Sequence, residues 1–319
     1  MPGLVGTKDN TVGLLYDTVV ISSALYGAGL LQAWFYFRKF SLKDSRWIKA
    51  CVTGVLVCDT VQMALLSKTV YVYLVTNHGD DTFLAKVEKT LLIELYFSGT
   101  IGILTQAFYA WRILVLSKSW ILPGLVMLLS VGSYVTLFVY TSIIVQFELL
   151  SQLVDPLPQK LSMAINSTTA LCDIAITLIM IIFLERSKTG FRRSTDMLNR
   201  MIIFVFNTGL PTTICAILSF SMVKGEPNTF LYIMFYLIMG RFYTNSILVT
   251  LNSREYIRNG SNHRTDTRTG NDISLNTVGN IANQRSQNVS IRIETDQVVT
   301  QDESYSKNLD YGDAKTLAV

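Results

Sequence analysis

The stretch "ALCDIAITLIMIIFLERSKTGFRR", residues 170–193, decides the fold. It sets one carboxylate, Asp173, inside a long apolar run and ends on Arg186, Lys188, Arg192 and Arg193. A helix that spans a bilayer needs about 20 largely apolar residues. Lys and Arg then gather in the short loops on the cytoplasmic side. The stretch reads as one membrane span with its cytoplasmic exit.

The rest of the chain fits that reading. Half of the 319 residues are hydrophobic and 16% are charged, against about 25% charged in soluble domains. Long apolar windows recur at 14–36, 47–66, 91–116, 120–146, 162–184, 200–223 and 229–251. The expected fold is all-α: a polytopic seven-transmembrane-helix bundle over 14–253, after a short extracellular N-terminus, 1–13. Residues 254–319 are polar, with 8 basic and 9 acidic side chains. That segment buries too little surface to offset its ordering entropy, and a disordered cytoplasmic tail is expected.

Charge sets the direction. Twelve Lys and Arg residues lie in or beside the first, third and fifth links, among them Arg38, Lys39, Arg112 and Arg186, and six lie on the opposite side. The amino terminus is expected outside and the carboxyl terminus in the cytoplasm, with the plasma membrane as the address. Residues 1–253 carry a net charge of +5, which belongs to these loops, so no nucleic-acid partner is expected. Trp34, Trp47, Trp111 and Trp120 fall near one boundary and read as an interfacial belt. The four cysteines lie in apolar stretches and read as small hydrophobes. The sequon at Asn166 lies at the end of a span and is expected to be unmodified.

No enzyme motif is present. The two histidines, His78 and His263, fall in a loop and in the tail, and there is neither a GxxxxGK[ST] nor a GxSxG stretch. The last span has Arg241 but no lysine for a retinal Schiff base. The expectation is no catalysis, no cofactor and no metal. Ionisable and amide groups at membrane depth are the functional candidates, since such groups face a bundle interior or a wet cavity. Asp59, Asp173, Arg241 and Asn245 form the candidate intramembrane polar cluster, with the guanidinium expected to pair one or both carboxylates. A structural lock between helices serves as well as a ligand or ion site. Arg112, Arg186, Lys188, Arg192 and Arg193 form the candidate cytoplasmic coupling surface. The small-residue pairs Ser23/Gly27, Gly29/Ala33 and Ser98/Gly102 allow close helix approach, within one bundle or in a homo-oligomer.

The stretches "QAFYAWRILVLSKS", "ALCDIAITLIM", "RSKTGFRRSTDMLNRMIIFVFNTGLPTT" and "RFYTNSILVTLNSRE" together resemble the seven-helix membrane domain abundant in mushroom-forming fungi, the domain of unknown function 6534. The resemblance runs from the first span to Arg254. It departs at Arg241-Phe242-Tyr243, where the family usually has Lys-Leu-Tyr-like residues, and at Pro211, expected to kink the sixth helix. It implies the membrane fold and a fungal source, and transfers no substrate or site residue. The topology is similar to that of G-protein-coupled receptors, with Trp111-Arg112 at the inner end of the third helix, but the Asn-Pro-x-x-Tyr stretch is missing.

These features favour a receptor-like or sensor-like protein, whose partners are the bilayer, a small-molecule ligand, and a cytoplasmic protein at the inner loops and tail. The alternatives are a small-solute or proton-coupled transporter using the buried Asp and Arg groups, and a structural membrane scaffold.

Overall fold

The computed structural model describes residues 9–40, 42, 44–149, 152–153, 155–188, 192–226 and 229–269, with side chains for all of these but 81, 84, 192, 193 and 255–269. Among the described residues the chain forms seven long helices. They are α1 (Leu14–Lys39), α2 (Arg46–Tyr71), α3 (Lys89–Ser117), α4 (Ile121–Ile144), α5 (Pro156–Arg186), α6 (Arg192–Gly225) and α7 (Leu231–Thr269). A π-helical turn, Asp9–Gly13, leads into α1, and another, Val72–Thr76, continues α2.

Most of the helices overrun their apolar windows at one end or both, but α4 stops inside its window of 120–146. Hydropathy marks only the residues that avoid water, whereas a helix continues until its backbone is stopped. α5 starts at Pro156, where the missing N–H of a first-turn proline costs nothing. α7 passes the expected end at 251 and runs to Thr269, so residues 254–269 are helical where a disordered tail was expected. The chain has no proline beyond Pro227 to stop that helix. Residues 270–319, the remainder of the expected tail, lie outside the described residues. α6 is continuous through Pro211. Thr212 and Thr213 both donate their hydroxyls to the Gly209 carbonyl, each at 2.9 Å.

Six of the helical segments are long and apolar enough to cross a membrane: Asp9–Lys39, Arg46–Thr76, Lys89–Ser117, Ile121–Ile144, Pro156–Arg186 and Ser194–Gly225. That is the make-up of an integral membrane protein. α7 falls short because Arg241, Asn245 and three tyrosines between 231 and 250 dilute its apolar residues.

Successive helices pack side by side, α1 on α2 through to α6 on α7, and α7 closes the ring on α1. α3 also touches α5 and α7, and so occupies the middle. This alternation gives the bundle two ends. The N face carries the start of α1 and the links from α2 to α3, α4 to α5 and α6 to α7. It is tied by Val87 N–H to the Glu148 carbonyl (3.0 Å), Phe230 N–H to the Asn10 carbonyl (3.0 Å), and the Tyr73 hydroxyl to the Lys86 carbonyl (2.7 Å). The opposite end is the Trp face, where Trp34, Trp47, Trp111 and Trp120 are all exposed. The short link there turns on Lys118, whose φ of 53° is left-handed.

Small residues set two of the close approaches. Gly29 lies under α7, with Asn245 3.6 Å from where its Cβ would be, and Ala33, one turn on, is buried. Gly102 lies 3.8 Å, by the same measure, from the Tyr243 ring. Ser23 is exposed and Gly27 meets nothing within 4 Å, so this pair makes no approach inside the bundle.

Candidate functional site

Two separate polar clusters lie inside the bundle, one on each side of α7. The first joins α2 and α7. Arg241, fully buried, donates from Nη1 to the Asp59 carboxylate and, at 2.8 Å, to the Asp59 backbone carbonyl. Its guanidinium also lies 5.9 Å from the Tyr26 ring centroid of α1, within range of a cation–π attraction. Its Nε has no partner.

Beside this pair stands Glu94 of α3, with no exposure to solvent. Its carboxyl faces the Gln62 amide without a hydrogen bond of normal geometry, and neither Gln62 side-chain atom has another partner. Gly240 makes room for Gln62, since a Cβ there would stand 3.2 Å from its amide oxygen. The cluster therefore holds two carboxyl groups and one guanidinium. Unsatisfied buried polar atoms are costly, and here they gather at one spot.

The second cluster centres on Asp173, which does not join Arg241. Its Oδ2 accepts from the Tyr243 hydroxyl at 2.6 Å and its Oδ1 from the Gln106 amide at 3.2 Å, with the Thr212 hydroxyl also against it. The expected four-residue cluster is thus divided by register. Arg241 and Tyr243 are two positions apart on α7 and point to different sides of a helix with 3.6 residues per turn. Asn245, one turn beyond Arg241, returns to α1: it donates to the Leu25 carbonyl (3.0 Å) and the Arg241 carbonyl (2.9 Å) and accepts from Gln32 (3.2 Å). Sequence reading missed how much Glu94 and Gln62 share with Arg241. The signal was an amide and a carboxylate inside apolar windows, Gln62 in 47–66 and Glu94 in 91–116.

A third contact sits at the Trp face. Arg254 grips Asp44, in the link between α1 and α2, with both terminal nitrogens, at 2.8 and 2.7 Å. Such a two-point grip is the strong form of the ion pair. The Tyr36 hydroxyl adds a bond to the same carboxylate at 3.0 Å, and the guanidinium rests 5.2 Å from the Phe40 centroid. The Arg254 hydrogen bonds hold the Asp44 carboxyl below the usual carboxylate range, against the opposing effect of burial. Nothing in the sequence marked Asp44, and Arg254 read as the first residue of a tail.

Of the basic candidates, Arg186 is exposed at the end of α5, and Lys188 pairs with Glu185 one turn before it. Arg112 is partly buried on α3, within electrostatic range of Arg254. Arg192 and Arg193 start α6, and their side chains lie outside the described residues. All five are at the Trp-face end. Asn166, of the sequon, is buried in α5 and donates to the Ser162 carbonyl. Among the described residues no three His, Cys, Asp or Glu side chains converge as metal ligands.

The segment that carries most of these contacts also carries a family likeness. Residues 169–256 match the model of DUF6534, a family of unknown function. The match runs from the middle of α5 to just past Arg254, and so includes Asp173, Arg241, Asn245 and Arg254. Their partners Asp59, Gln106 and Asp44 lie outside it. No curated protein and no solved structure matches the chain.

Proposed function

We propose that the chain is a receptor-like or sensor-like seven-helix protein of a fungal plasma membrane, with its amino terminus outside and its Trp face in the cytoplasm. α7 is the seventh span, and it is the element that carries a change at membrane depth to the cytoplasmic end. One observation carries this reading. A single helix holds the Arg241 pair to α2, the Asn245 bonds to α1, the Tyr243 bond to Asp173 of α5, and the Arg254 grip on the first inner link. A ligand shifts an equilibrium only through contacts that differ between two states, and contacts on one rigid helix change together.

The role is signalling, without catalysis. A cytoplasmic protein docks on the basic inner ends of α3, α5 and α6, where Arg112, Arg186 and the start of α6 lie. The test uses purified protein in nanodiscs with an environment-sensitive fluorophore at Ser187, exposed next to α5's end, scanned against pH and a panel of small metabolites. The reading predicts an emission change with one stimulus that is lost in Asp59→Asn and kept in Glu185→Gln. Solute flux in liposomes with no emission change would overturn it in favour of a carrier.

A further inference from the structure

Three small cavities follow one another along the inside of α3, α5 and α7. The first, about 40 Å³, lies in the opening turns from the N face, between Leu91, Ile144, Leu153, Ser162, Asn166 and Tyr232. The second, about 30 Å³, is lined by Ser98, Ser133, Thr169, Tyr236, Tyr243 and Gln106. The third, about 20 Å³, is bounded by Gln106, Asp173, Thr208, Thr212, Tyr243 and Ser246. Neighbouring cavities share walls. Tyr236 and Ile165 line the first and second, and Gln106 and Tyr243 line the second and third.

A buried water needs about 10–15 Å³ of such space and two to four polar partners. Each cavity has room for one or more. The first contains a specific demand for one, since Asn166, which lines it, is buried and has an amide oxygen with no partner. Beyond Asp173 the picture changes. Toward the Trp face the interior closes on Ile113, Met180, Leu184, Ile247 and Leu251, all buried in one apolar cluster.

We propose that water fills the three cavities and links the N face to the Asp173 carboxyl, so that Asp173 exchanges protons with the N face and not with the Trp face. The groups around it suit that role. From α3 it meets Gln106 and, across the third cavity, Tyr109; from α6 Thr212; from α7 Tyr243 and Ser246; and Cys172 precedes it on α5. Each of these is neutral, so no cation among them fixes the carboxyl in its ionised form. Gln106 and Tyr243, which hold the two carboxyl oxygens, are the residues shared by the second and third cavities. The proposal stands on the cavities and does not require the sensor reading.

Hydroxyl-radical footprinting of the full chain in nanodiscs tests the water. Radicals formed from bound water mark the side chains beside it, so Tyr236, Met239 and Tyr243, which line the second cavity, are expected to be modified at least several-fold more than buried Met180. Equal modification of Met180 and these three would overturn the proposal. Infrared difference spectra in H₂O and D₂O test the proton. A carboxyl band absent from Asp173→Asn should exchange its proton at least tenfold more slowly in Thr169→Val, which keeps the shape of the second cavity and removes its hydroxyl. An unchanged exchange rate in Thr169→Val, or no carboxyl band belonging to Asp173 at any pH, would also overturn it.

Discussion

The Arg241 guanidinium lies on both the carboxylate and the backbone carbonyl of Asp59, and neither side chain reaches solvent. Breaking one partner of such a pair strands the other, at a cost of about 3–5 kcal/mol, whereas replacing the whole charged set by apolar groups is often near neutral. Asp59→Asn is therefore expected to lower thermal stability sharply. The triple variant Asp59→Leu, Arg241→Met, Glu94→Gln, which removes every charge from the cluster, should melt close to the parent. Thermal unfolding in one detergent, followed by size-exclusion chromatography, checks both. A triple variant less stable than Asp59→Asn would count against the arrangement.

The Asp44–Arg254 contact has a pH signature. A carboxyl held below its ordinary value contributes stability that is fully present above the unfolded value, about 4, and is lost as pH falls through the lower folded value. With Arg254 part-exposed, that contribution is about 1 kcal/mol or less. A nitroxide at Leu42, exposed in the same link, is expected to gain mobility below pH 4 in the parent. In Asp44→Asn it should be mobile at every pH. Identical profiles for the two proteins would contradict the grip.

At Gly209 the α6 backbone lies against Thr177 of α5. A Cβ at that position would collide with the Thr177 hydroxyl. Gly209→Ala is expected to destabilise by about 1–3 kcal/mol, the usual cost of overpacking. Thr177→Ala should relieve most of it, with a coupling of about 0.5–3 kcal/mol in the double-mutant cycle. Simple additivity of the two changes in unfolding midpoint would show that the helices sit further apart.

How much of this was legible beforehand depended on range. Apolar runs such as 170–184 are local, and they marked every long helix. The helix ends were less visible, because α5 begins on Pro156 and α7 continues through polar residues to Thr269. Depth was also readable: Asp59, Asp173, Arg241 and Asn245 all lie inside helices. Partnership was not, because it depends on which face each helix turns to its neighbours. Two positions along α7 separate Arg241 from Tyr243, and that alone sends Asp173 to a different cluster from Asp59. Asp44 and Arg254, 210 positions apart, meet only once the ring of helices closes.

α7 holds the buried Asp59–Arg241 pair near its middle and the Arg254 grip on Asp44 at the Trp face, and it is proposed to couple the two. The most direct test is a pulsed electron-resonance distance between nitroxides at Trp120, exposed before α4, and Ile257 on α7. The protein would be in nanodiscs, with Cys51, Cys58, Cys172 and Cys215 replaced by alanine. The expected result is one narrow distance distribution for the parent and a shifted or second population in Asp59→Asn. The same single distribution in both proteins would contradict that coupling.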